Sequence, residues 1–209
     1  MKHKSIEIGR LLRANLSGFV AGCRLSQPEL PSFGTLVRVP IQSQMEAYGI
    51  IYDIRMDDDG LVRQLVTSQV LPPEVIADNR ANRNKPVEIS IITIGRNQEG
   101  VLSHLLPPRP PISLDLIYEC TSEELRAFTS LARFGYFRHI LRNKEIAIGE
   151  LLAAHFEQAR NAHMVAGNHE WFSRASKELI IQLRDDYPSL MNVLNALSDL
   201  PMEIHNEQQ

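Results

Sequence analysis

"FGTLVRVPI" (33–41) and "AYGIIYDIRM" (47–56) decide the fold. In the first, Leu36 and Arg38 alternate with Val37 and Val39. A period of two sends successive side chains to opposite faces of a strand. The second stretch runs into "DDDG" (57–60) and then "LVRQLVT" (61–67). Asp and Gly tolerate left-handed turn positions, so this order reads as a hairpin. Upstream stand "IGRLLRAN" (8–15), "LSG" (16–18) and "FVAGCRL" (19–25), closed by the turn-rich "SQPELPS" (26–32). Downstream come the β-branched "VEISIITIG" (87–95), the turn "RNQEG" (96–100) and "VLSHLL" (101–106). Short strands separated by Gly, Pro or Asp clusters predict an antiparallel barrel or sandwich. Within this half, "PPEVIADNRANRNKP" (72–86) reads as a short helix and an exposed loop carrying Arg80, Arg83 and Lys85.

The period then changes. "PPRPP" (107–111) offers almost no backbone donors and is stiff, so it reads as a linker. After it, Thr121 and Glu124 stand at capping-box spacing, and Leu125, Phe128, Leu131 and Ala132 share one helical face. A second helix is predicted over 144–163. A third over 170–186 has Phe172, Ala175, Leu179 and Leu183 on one stripe. A fourth follows Pro188, with Leu190, Val193, Leu194 and Leu197 at i, i+3, i+4, i+7 and a tail from 202 that frays. The expected fold is therefore α+β, an N-terminal small antiparallel β-barrel followed by a C-terminal α-helical domain. The boundaries are 1–106 for the barrel, 107–120 for the Pro-rich linker and 121–204 for the helices.

Bulk properties bound the function. The chain has 209 residues, 44% hydrophobic and 22% charged, with a formal charge of −3. This is ordinary globular composition, and the charge argues against coating nucleic acid or anionic membrane as a whole. Cys23 and Cys120 form no metal spacing and are expected as unbonded thiols of a reducing compartment. "MKHKSIEIGRLL" (1–12) begins basic but has no sustained apolar run, so no secretory signal is expected. No stretch approaches the ~18 apolar residues of a membrane span. A cytoplasmic location is the expectation.

"HMVAGNHEWF" (163–172) contains "GNHE", which is similar to a metal-ligand motif of the metallophosphoesterases. That chemistry needs carboxylates and histidines converging on two cations. The family's D-x-H pair and G-D-x-x-D stretch are both missing from this sequence. The motif also falls between two predicted helices. Gly167 is thus read as a helix terminator and Asn168 as the cap of the next helix, with Glu170 in its first turn. His155, His163 and His169 miss the i, i+3/i+4 spacing of a helical metal pair and read as packing or surface residues. "DDDG" lacks the alternating ligands of a calcium loop, and no P-loop or G-x-S-x-G is present. No catalytic residue, cofactor or metal is expected. A phosphoesterase or nuclease using His163, His169 and Glu170 is kept as an alternative.

A second alternative rests on Arg133, Phe134, Tyr136, Phe137, Arg138, His139, Arg142 and Lys144, which interleave cations with aromatics. Such a surface could stack bases and hold phosphates in a nucleic-acid adaptor. Its plain counterpart is that Phe134 and Phe137 face the core while the cations stay solvated.

The order of strands in the first half resembles the HAS-barrel, over roughly residues 5–105. The "G-x-x-V-x-V" strand of that family corresponds to Gly34, Val37 and Val39, and its "G-x-V/I-x-x-I" strand to Gly49, Ile51 and Ile54. The family supplies the N-terminal barrel of HerA-type DNA-translocating ATPases and of the ATP synthase α and β subunits. The resemblance implies an assembly role: docking to a protein partner such as a HerA-type ATPase, or self-association. It does not imply motor activity, because a helical segment stands where an ATPase core would follow. Gly34 and Gly49 are expected to permit close approach or bending.

Overall fold

The computed structural model describes residues 6–25, 30–42, 44–56, 72–74 and 85–201. The "DDDG"/"LVRQLVT" hairpin, most of the 72–86 segment including Arg80 and Arg83, and the tail from 202 lie outside the described residues.

The strands are β1 (Glu7–Ala14), β2 (Gly18–Leu25), β3 (Leu36–Gln42), β4 (Met45–Met56), β5 (Lys85–Gln98), β6 (Val101–Ser103) and β7 (Leu116–Glu119). The sheet order is β2-β1-β7-β3-β4-β5-β6, and β2 also pairs with β5. That pairing closes six antiparallel strands into a barrel and leaves β6 outside, paired among the described residues to β5 alone. Closure removes the sheet edges of the ring. Register shifts in β1, β3 and β4 supply the bends that a small ring requires.

β7 is a departure from the sequence reading. The 107–120 segment, expected as a linker, contains this strand, which fills the gap between β1 and β3. Only Ile117 of its four residues is buried, so local periodicity carries almost no signal; long-range pairing makes the strand.

The alternation in β3 is as expected. Val37, Val39 and Ile41 point into the barrel with Ile8, Leu11, Phe19, Ala21, Ala47, Ile51, Val87, Ile89, Ile91 and Ile117. Leu36 points outward, into a second core with Tyr48, Ile50, Ile92 and Ile94 of the barrel wall and the buried faces of the helices. The strands and helices therefore share one apolar cluster.

The helices are α1 (Ser122–Thr129), α2 (Phe137–Leu141), α3 (Ile148–Val165), α4 (Trp171–Leu183) and α5 (Tyr187–Ser198), with a 3-10 turn at Ala132–Phe134 before α2. α1 begins with the predicted capping box: the Thr121 hydroxyl accepts from the Glu124 N–H, and the Glu124 carboxylate accepts from the Thr121 N–H. Phe128 of α1 stacks on Tyr48 of β4 with centroids 5.2 Å apart. A Cβ on Gly95 would stand 2.7 Å from the Phe128 ring, so the ring lies flat against β5. Arg38 of β3 joins the same seam, its guanidinium 2.7 Å from Glu46 and 2.9 Å from Glu124. In α5, Asp186 accepts from the Ser189 N–H and Pro188 occupies the first turn, where its missing N–H costs nothing. Cys23 and Cys120 are free thiols. Among the described residues no helix is long and apolar enough to cross a membrane.

Candidate functional site

The "GNHE" segment folds as a helix stop. Ala166 is the C-cap of α3 and Gly167 takes φ +78°. The Gly167 N–H donates to Met164 O and the Asn168 N–H to His163 O, the paired bonds of a Schellman motif. The expected cap of the next helix is corrected. Glu170 holds the N-cap position of α4 without a side-chain cap bond. The Asn168 amide instead turns back to His163 Nδ1, at 3.3 Å.

The histidines are engaged in packing. His163 stacks on Trp171 at 4.9 Å, and its Nε2 meets the Thr129 hydroxyl at 2.9 Å. His155 bridges the two halves of the fold, with Nδ1 3.0 Å from Gly34 O and Nε2 3.3 Å from the Tyr136 hydroxyl. Burial pushes both rings down to about 4, so they are neutral at pH 7. His169 and Glu170 are exposed while His163 is buried, so the three do not converge. Among the described residues no group of three His, Cys, Asp or Glu side chains is placed to hold a cation.

The 133–144 cluster is divided by the fold. Phe134, Tyr136 and Phe137 are buried, with Phe134 stacked on Phe137 at 5.5 Å and Tyr136 edge-on to Phe137 at 4.7 Å. These rings form no exposed stacking platform. Arg133 and Phe134 adopt left-handed conformations, which breaks the helix and turns the rings inward. Arg138 donates to the carbonyls of Gly135 and His104, and His139 Nε2 lies 2.8 Å from the same His104 carbonyl. Both side chains thereby anchor the backbone at His104. Arg133, Arg142 and Lys144 remain exposed.

Two features outside the sequence reading stand out. The first is a cleft between the β1–β2 turn and the loop joining α2 to α3. One part encloses about 400 Å³ and is lined by Ser17, Thr93, His139, Arg142, Asn143 and Lys144, among others. An adjoining part of about 330 Å³ shares Ser17, Ile92, Asn143 and Glu145 and is flanked by Arg13, Phe19 and Tyr52. Asn15 Oδ1 accepts from the Ser17 N–H, the Ser17 hydroxyl and the Gly18 N–H, which fixes the turn on one side. Asn143 Oδ1 accepts from the Glu145 N–H on the other. No motif in the sequence joins positions as distant as 17, 93 and 142; strand and loop pairing brings them together.

The second feature is apolar. Leu114 is 68% exposed, Ile112 59% and Leu12 46%. The turn carrying Ile112 and Leu114 is tied to β1 by four bonds: Leu114 N–H to Leu11 O, Leu11 N–H to Asp115 O, Ser113 hydroxyl to Leu12 O, and Arg10 guanidinium to Leu114 O. Leu114 holds φ +76°, a conformation that disfavours a bulky side chain. Leu12 lies over Gly22 of β2, close enough that a Cβ there would stand 2.9 Å from its Cγ.

Comparison of the chain with models of known protein families and with curated proteins finds no match.

Proposed function

We propose that this chain is a non-catalytic assembly protein, a HAS-like barrel with a helical buttress that docks onto a protein partner. The observation that carries the reading is the strained turn at Leu114. A left-handed leucine costs roughly 1–2 kcal/mol. Four hydrogen bonds to β1 hold the turn, and the strained residue presents an apolar side chain to solvent, as do Ile112 in the same turn and Leu12 of β1. Backbone strain retained at an exposed apolar tip is the pattern of a contact point. Burial against a partner would contribute roughly 1–2 kcal/mol for each of the three side chains.

The resemblance of the barrel strands to the HAS family supports the same reading and names the first partner to try, a HerA-type DNA-translocating ATPase. The nucleic-acid adaptor loses its stacking surface to the core, and the phosphoesterase lacks converging ligands among the described residues.

The test is Leu114→Asn, because asparagine tolerates the left-handed region and the fold is retained. The purified ATPase and the chain are mixed and followed by size-exclusion chromatography with light scattering, as is the chain alone. We expect a complex or a self-associated species that weakens on substitution. Association unchanged by Leu114→Asn, or no association of either kind, refutes the proposal.

A further inference from the structure

We infer that the cleft between the β1–β2 turn and the α2–α3 loop binds a small phosphate ester, its phosphate at the Arg142–Lys144 end and its organic part beside Tyr52. Four observations converge on it. The first is charge: Arg142 and Lys144 are exposed on one lip and Arg13 stands at the far end, while His139 on the same wall is pushed by burial away from its charged form. Against them are Glu145, which lines both volumes and so stands at the Arg142–Lys144 end too, Glu88 bonded to Arg13 at 2.9 Å, and Asp186, whose carboxyl is held down first by Ser189 and also by Lys144. Cations predominate at the Arg142 end, where a phosphate would be held by charge-assisted bonds.

The second is an unmet polar group. Thr93 is 1% exposed and lines the cleft, and among the described residues its Oγ1 has no hydrogen-bond partner. A buried hydroxyl without a partner is costly, and a ligand oxygen would satisfy it once a small side-chain shift opens the cleft floor to it. The third is construction. Ser17 O accepts the Thr93 N–H, locking the turn to β5, and the turn's own bonds to Asn15 hold Ser17 in place. The fourth is size and lining. The two adjoining volumes, about 400 and 330 Å³, fall in the range of small-molecule sites. The second volume is mostly polar in its lining, and the half-buried Tyr52 is the aromatic ring on its flank against which an organic group could rest.

The inference is independent of the docking surface, which lies on the barrel wall around Leu114. The test is calorimetric titration of the full chain at low salt with inorganic phosphate, pyrophosphate, AMP and ADP. A single-stranded oligodeoxynucleotide is the comparison. ADP is expected to bind one per chain and more tightly than pyrophosphate. Arg142→Ala with Lys144→Ala should weaken it roughly tenfold or more, since each tenfold is the loss of about one good interaction. Both residues are exposed, so the melting temperature should hold. Thr93→Val should keep or raise stability while weakening ADP; a purely structural threonine would leave ADP binding unchanged, which counts against the site. Absence of heat with every phosphate probe overturns the inference. ADP no tighter than pyrophosphate overturns its ester half. An oligonucleotide bound far more tightly than ADP through the same arginine and lysine overturns it in favour of nucleic acid.

Discussion

Gly34→Ala and Gly100→Ala form a matched pair that measures the seam between barrel and helices. Both glycines sit at φ +83°, so alanine meets the same backbone penalty at each, roughly 1–2 kcal/mol. Their surroundings differ. A Cβ on Gly100 meets nothing within 4 Å among the described residues. A Cβ on Gly34 would stand 2.8 Å from the His155 nitrogen and 2.9 Å from the Ala154 carbonyl carbon, both backbone atoms of α3. Neither can swing away as a side chain can, so α3 must shift. Overpacking of this kind costs typically about 1–3 kcal/mol. The shift also disturbs the His155 to Gly34 hydrogen bond at 3.0 Å, worth about 1 kcal/mol net. The sum for Gly34→Ala is therefore roughly 3–6 kcal/mol, against about 1–2 for Gly100→Ala. Urea titration followed by circular dichroism and by emission of Trp171, the chain's single tryptophan, reads both values. Equal losses at the two sites, to within about half a kcal/mol, would refute the packing of α3 on Gly34.

His155 is neutral when folded, its pKa pushed by burial from 6.5 to about 4. The unfolded chain therefore takes up this proton first as pH falls. Stability is full above about 6.5 and declines toward about 4, by about 2 kcal/mol at pH 5 for this ring, with His104 and His163 adding in the same direction. Urea titrations at pH 7 and pH 5 with NMR titration of the imidazoles check it; a flat profile, or His155 titrating near 6.5, contradicts it. Leu114→Asn should raise stability by about 1 kcal/mol through relief of the left-handed leucine, read as a higher melting temperature, and a lower one would show that the leucine is not strained.

Local pattern carried most of the secondary structure. The alternation of Leu36 and Arg38 with Val37 and Val39 predicts which side chains enter the barrel, and the coordinates place Val37 and Val39 there. The Thr121/Glu124 spacing predicts the start of α1 because a capping box is a four-residue interaction. β7 escaped because four residues with one buried side chain have no period to read; its pairing with β1 and β3 is long-range. Asn168 suits a cap by residue type, yet the Schellman turn ends two residues before Glu170 and leaves its amide nearer His163. In the 133–144 cluster, residue type could not separate core rings from exposed ones. The positive φ of Arg133 and Phe134 made that division, and alternating cations and aromatics do not encode it. The cleft was illegible for the same reason as β7, since Ser17, Thr93 and Arg142 meet only through the closed sheet.

The place of β7 has a consequence for how the chain comes into being. On a ribosome, β1 through β6 emerge first, yet the ring has a missing stave until Glu119 is out. Until then β1 and β3 present bare backbone to any passing strand, and the outward Leu36, Tyr48 and Ile50 lack the helical roof that shields them. A nascent chain of this design is at its stickiest just before Glu119 emerges, and its safe folding depends on β7 and the helices that follow it arriving promptly.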